Sequence, residues 1–255
     1  MRLLLAVLAG LVVCVGALAL GRALEPSPLV DTDYRIMAGH EIAFPCFGNF
    51  YARHGGEVVL TAVAHCNGPE GTRVADGAGR LLGTWGPVAA ITPCLEPGHR
   101  CLASDMSYIV LAPDHIPWGS LDRVLMGRTG SRDLAGTRPL SCADIAVGDP
   151  IDVTGHLGYR AATVTGQAPN LNAVDGDYFP CIVYTDAPAA VGDSGGPVLV
   201  RGQPAGITSR SFGGLLGFTP LAEGLDALGL TLCTTPDCDL VPPATASPRP
   251  SASAP

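Results

Sequence analysis

Between positions 190 and 198 the chain reads Ala190-Val191-Gly192-Asp193-Ser194-Gly195-Gly196-Pro197-Val198. A serine sits among three glycines, and a proline closes the turn. Glycine reaches backbone angles closed to other residues. A turn of this composition holds a hydroxyl proud of the backbone and aims neighbouring N–H groups at one point. A nucleophilic serine needs both: an exposed oxygen, and donors where an oxyanion will form. The competing reading is a Gly-rich β-turn with an incidental serine.

The stretch resembles the active-serine signature of trypsin-like (chymotrypsin-fold) serine proteases, Gly-Asp-Ser-Gly-Gly-Pro, and also fits the looser Gly-x-Ser-x-Gly of α/β-hydrolases. Chain order separates the two. In an α/β-hydrolase the acid and then the histidine follow the serine. Here His40, His54, His65, His99, His115 and His156 all precede Ser194. A Ser–Lys dyad is excluded as well, because the 15 basic residues are all arginine. The order His, Asp, Ser remains, as in trypsin-like enzymes.

The chain has 255 residues, 47% of them hydrophobic, with 33 glycines and 23 prolines. Punctuation that dense suits many short strands better than long helices. A net charge of −8 argues against nucleic acid or an anionic membrane surface as partner. Met1-Arg2 precedes an apolar run from Leu3 to Leu20 with a small-residue site at Ala17-Leu18-Ala19. This is a secretory signal pattern over 1–20. An uncleaved anchor through residues 3–20 is the alternative, because the run approaches the length of a spanning helix. Either reading makes the protein secreted or otherwise extracytoplasmic. Residues 21–34 form a polar connector. Residues 242–255 are Pro, Ala, Ser and Thr with one Arg, too poor in apolar surface to fold, and read as a disordered tail.

Cys14 lies in the apolar run, which leaves eight cysteines in the exported part. An even count there implies disulfides. No Cys-x-x-Cys or His-x-x-x-His cluster favours a metal, and no cofactor motif is present. Cys94 and Cys101 enclose a Pro-Gly turn, and Cys233 and Cys238 enclose Thr-Thr-Pro-Asp, so both pairs read as local staples.

The run from Glu57 to Ala64 reads as an apolar strand. It ends in His65-Cys66, which resembles the trypsin-like Thr-Ala-(Ala/Gly)-His-Cys box. The resemblance implies a disulfide from Cys66 to Cys46, leaving Cys142 for Cys181. One departure stands three residues before His65. Ala62 replaces the Ser or Thr whose hydroxyl usually helps hold the acid, with Thr61 one place earlier. The acid itself is expected at Asp105, which opens Asp105-Met106-Ser107-Tyr108-Ile109-Val110-Leu111 and resembles the family's Asp at the mouth of a core strand. Asp76, Asp114 and Asp122 are weaker candidates, since no strand-like run follows them. A core histidine and a turn aspartate are the bland readings of His65 and Asp105.

The junction Arg35-Ile36 loosely resembles a zymogen activation site, but a plain first strand is the favoured reading. Asp193 needs a cationic partner, because a buried carboxylate must be paired. An internal arginine such as Arg160 is favoured over the Ile36 amine. Residues 112–141 read as the crossing between two barrels, 148–166 as the first strands of the second barrel, and 221–228 as a short terminal helix.

The resemblance covers about residues 33–232, and its bacterial secreted branch fits best. It implies an all-β fold of two antiparallel six-stranded barrels with a short C-terminal helix. The domain spans 35–232, with barrels at about 35–125 and 140–232. It further implies a monomeric serine endopeptidase acting on proteins or peptides. Ser194 would be the nucleophile, His65 the base and Asp105 its orienting acid. The N–H groups of Gly192 and Ser194 would form the oxyanion hole. The alternative is an inactive homologue serving as an extracellular binding module. The substrate pocket would be walled by Pro188, Ala189, Ala190, Val191, Ser209, Arg210 and Ser211. Pro188 stands where the family has a bridging cysteine, and no acid occupies the pocket base. Cleavage after small or apolar residues is expected, unless Asp186 turns inward.

Overall fold

The computed structural model describes residues 38–238, apart from 44–45, 77–78, 95, 114–119, 128–129, 172–175 and 237. The expected signal or anchor (1–20), the connector (21–34), the Arg35-Ile36 junction, Asp114, His115 and the tail (242–255) lie outside the described residues. Among the described residues, no helix is long and apolar enough to cross a membrane.

The first half of the chain builds β1 (Glu41–Ala43), β2 (Cys46–His54), β3 (Glu57–Val63), β4 (Arg73–Ala75), β5 (Leu81–Trp85), β6 (Ala90–Ile91), β7 (Arg100–Leu102) and β8 (Met106–Leu111). The second half builds β11 (Pro150–Val153), β12 (Arg160–Leu171), β13 (Asp177–Pro188), β14 (Pro197–Val200), β15 (Gln203–Phe212) and β16 (Leu215–Pro220). Helix α1 (Leu221–Leu228) and strand β17 (Leu230–Leu232) follow. The helix occupies the span expected for it. It buries Leu221, Leu225 and Leu228 and ends at Gly229, whose φ of 62° only glycine adopts freely.

Among the described residues the strands form a separate two-stranded sheet and two large sheets, which match the expected double barrel. One runs β1-β2-β3-β8-β5-β4, with β17 added on β2. The other runs β12-β11-β14-β15-β16-β13-β7-β6, and pairing of β12 with β13 closes six of its strands into a ring. The chain halves exchange edges. Strands β6 and β7 from the first half extend the second sheet, and β17 from the end of the chain extends the first. Neither barrel is therefore one continuous stretch. Residues 112–141, expected as a plain crossing, also hold a hairpin of β9 (Arg123–Leu125) and β10 (Ser131–Asp133).

Strand β13 shows why the sequence folds this way. From Thr185 its side chains alternate, with Thr185 and Ala187 buried and Asp186 and Pro188 exposed, as the period of two along a strand requires. Ile151, Val153, Val164, Val183, Val198, Val200 and Phe218 fill the second barrel. A smaller cluster packs Ala64, from the turn after β3, against Leu102, Phe179 and Ile182 of the second sheet. Cysteine pairs Cys46–Cys66, Cys94–Cys101, Cys142–Cys181 and Cys233–Cys238 stand at Cα separations of 6.5, 5.0, 6.4 and 5.1 Å.

Candidate active site

His65 sits in a single 3-10 turn, Ala64–Cys66, where β3 ends. The Cys66–Cys46 bridge ties that turn to the start of β2. Asp105 stands just before β8, next to β3 in the same sheet, and is only 1% exposed. Its main-chain carbonyl accepts from Ala64 N–H at 3.0 Å, and its Oδ1 accepts from His65 N–H at 3.0 Å. The side chains then meet: His65 Nδ1 lies 2.7 Å from Asp105 Oδ2.

Ser194 comes from the other barrel, in the loop between β13 and β14. Its Oγ lies 2.9 Å from His65 Nε2. The loop is pinned to the first barrel. Phe47 N–H donates to the Ser194 carbonyl at 2.8 Å, and Asn49 Nδ2 to the Gly195 carbonyl at 3.0 Å. Gly192 and Gly195 hold φ values of 98° and 83°, angles that side-chain-bearing residues rarely adopt. The Gly192 and Ser194 N–H groups donate to no backbone carbonyl among the described residues.

Asp193, between them, points inward and is 2% exposed. Arg160 meets it with both terminal nitrogens, Nη1 to Oδ2 at 2.7 Å and Nη2 to Oδ1 at 3.0 Å. Ala190 N–H also donates to Asp193 Oδ2 at 2.8 Å. The cation on Asp193 is thus the internal arginine.

The electrostatics of Asp105 follow from its partners. Burial raises its proton affinity. The hydrogen bond and charge of His65, the Ser209 hydroxyl and the Arg210 charge all oppose this. The net effect holds the carboxyl below the usual carboxylate range. A buried anion on one side of an imidazole and a hydroxyl on the other can move a proton from oxygen to nitrogen.

A cavity of about 350 Å³ opens beside Ser194, lined by Ala189, Ala190, Val191, Thr208, Ser209, Arg210, Ser211 and the 192–194 loop. No family model matches this sequence, and no curated protein matches it. Solved structures do. Thermobifida fusca protease A is 24% identical, with a TM-score of 0.59, over 78% of this chain and 98% of that one. Cellulomonas bogoriensis chymotrypsin is 22% identical, TM-score 0.59, over 79% and 100%. A Nocardiopsis protease is 19% identical, TM-score 0.59, over 78% and 99%. The fold is that of the bacterial chymotrypsin-like serine proteases.

In this chymotrypsin-like frame, His65 and Asp105 from the first sheet meet Ser194 from the second, and six of the seven expected pocket residues, all from the second half of the chain, line the cavity beside it. Pro188 does not line the cavity. It faces away at the end of β13, and its carbonyl accepts from Arg160 Nη1 at 2.7 Å. Asp186 does not turn inward either, since its Oδ1 accepts from Thr163 N–H at 2.6 Å on the outer face. Of the other acids, Asp76 pairs with Arg80 and Asp122 lies beside Ser120.

Ser209 does more than wall the pocket. Its hydroxyl donates to Asp105 Oδ2. It thereby supplies the oxygen partner that Ala62 lacks, while Thr61 spends its own hydroxyl on Phe50. The two residues lie 104 positions apart, and no local pattern announces the contact.

Proposed function

We propose that this protein is an exported serine endopeptidase working through His65, Asp105 and Ser194. One observation carries the reading: His65 bridges a buried carboxylate and a serine hydroxyl, at 2.7 and 2.9 Å. The solved structures similar to it are serine proteases, which supports a peptide or protein substrate.

Ser194 Oγ attacks the scissile carbonyl carbon while His65 Nε2 takes its proton. The N–H groups of Gly192 and Ser194 hold the resulting oxyanion. His65 then gives the proton to the leaving amine, and the acyl-enzyme remains on Ser194. Water then attacks the acyl carbon, losing a proton to His65, and the carboxylate product leaves as His65 returns that proton to Ser194 Oγ. Asp105 fixes the imidazole with Nδ1–H towards it and stabilises the imidazolium. A single oxyanion donor of this kind is worth about 3–4 kcal/mol of barrier.

The Arg160–Asp193 pair supports a site that assembles without a new N-terminal amine. The small side chains of Ala189 and Ala190 support cleavage after small or apolar residues. Four cysteine pairs and the N-terminal apolar run support export. A fluorophosphonate probe tests the enzyme reading. Labelling of the wild type, lost in Ser194→Ala, is expected. A folded wild type that takes no label overturns it in favour of a binding module.

A further inference from the structure

Arg210 follows Ser209 on β15 and lays its guanidinium over the Phe179 ring, 4.6 Å from the centroid. Its Nη2 stands 4.0 Å from Asp105 Oδ2. The side chain is 14% exposed, and its Nε and Nη2 are buried without a hydrogen-bond partner. A guanidinium shielded from water ordinarily takes a carboxylate by both prongs. Here the nearby carboxylate oxygen already accepts from His65 and Ser209. Arg210 therefore contributes charge without contributing a hydrogen bond. The two shielded nitrogens are also closed to a substrate, which separates this role from pocket recognition.

We propose that Arg210 is a positioning residue of the triad, a fixed shielded charge that keeps Asp105 an anion and extends the working range of the His65–Ser194 pair to lower pH. The inference rests on the serine-protease reading above. Its physical basis is general: a nearby fixed cation makes each neighbouring group release its proton more readily, and low local polarity strengthens the effect. The direction found for Asp105 agrees.

Other charges around the site are engaged elsewhere. Arg160 holds Asp193, Arg100 on β7 pairs with Asp177 on β13, Glu223 on α1 accepts from Cys142 N–H, and Asp186 faces outward. Tyr184 on β13 packs edge-on to Phe212, and His156 stands exposed beside Gly192. None of these takes the place of Arg210 beside Asp105.

The test compares Arg210→Met, Arg210→Gln and Arg210→Lys with the wild type in the full chain. In both uncharged variants the midpoint of the acid limb of kcat/KM should rise by about one pH unit, whatever happens to the plateau. Arg210→Lys, which keeps the charge, should stay near the wild type. NMR titration of the His65 ring protons, assigned with His65→Gln, should move the same way and needs no turnover. A ring titration that moves in a protein with no hydrolytic activity sinks the enzyme reading and the working range with it, and leaves only the charge effect of Arg210 on Asp105 and His65. Folded uncharged variants that lose activity equally at all pH values, with an unmoved ring titration, overturn it. A midpoint that moves equally in Arg210→Lys overturns it too, because shape and not charge would then be the cause.

Discussion

Arg160 grips Asp193 through both terminal nitrogens, and its Nη1 also reaches the Pro188 carbonyl, each Nη1 contact at 2.7 Å. One side chain thus fixes the loop that carries Ser194 and the strand end that leads into it. Breaking a buried ion pair leaves an uncompensated charge and costs about 3–5 kcal/mol. Arg160→Met should therefore lose fluorophosphonate labelling and lower kcat/KM by more than about 100-fold. Thermal unfolding should move down while far-UV circular dichroism keeps its β signature. Full activity in Arg160→Met would mean that the loop holds its shape unaided.

Removing the Ser209 hydroxyl takes a donor from a buried carboxylate. Hydrogen bonds to charged groups contribute about 1.5–3 kcal/mol, so Ser209→Ala should lower kcat/KM about tenfold or more. The pH dependence has a definite sign. Asp105 is held below the usual carboxylate range. Its stabilising contribution is complete above that range and is lost as pH falls through the folded-state value. Ser209→Ala raises the folded-state value towards the unfolded one, so the variant should be less stable near neutrality and should lose less further stability than the wild type as pH falls below the usual carboxylate range. Melting curves across the acid range measure this directly.

Specificity should follow the lining of the Ser194 cavity. A peptide library should return small or medium apolar residues at the cleaved position. Asp186→Asn should leave that profile unchanged, because the Asp186 carboxylate faces Thr163 on the outer surface. A profile dominated by Arg or Lys in the wild type and abolished by Asp186→Asn would refute both statements.

The bridge between Cys46 and Cys66 closes a 20-residue separation and carries the His65 turn. Cys46→Ser with Cys66→Ser should cost about 3 kcal/mol of stability on a chain-entropy account. Activity should fall by more than the unfolded fraction explains, since the imidazole loses its anchor. Peptide mapping of the unreduced protein should join Cys46 to Cys66 directly.

Much of the candidate site was legible because its pieces are local. The Gly192-Asp193-Ser194-Gly195-Gly196 turn needs positive φ at two positions, and glycine writes that need into the sequence. His65 announces itself at the end of an apolar strand beside a cysteine, and Asp105 at the mouth of another. The hairpin at Arg123–Leu125 and Ser131–Asp133 was not legible, because three-residue strands carry no readable alternation. Position before the serine points Pro188 into the pocket on sequence alone, yet the pleat of β13 leaves Pro188, like Asp186, exposed.

The sequence by itself determined the turn that presents Ser194, the strands that present His65 and Asp105, and the alternation that packs each barrel. These depend on backbone angles and side-chain periods set by a few neighbouring residues. Only the tertiary structure decided that Ser209 bonds Asp105, that Arg160 holds Asp193 and Pro188 together, that Arg210 stands beside the triad, and that the two halves exchange edge strands. Each of these contacts joins residues far apart in the chain. Its energy depends on how the barrels pack, on which water is excluded and on which partner is already taken, and none of that is written in the composition of any one stretch.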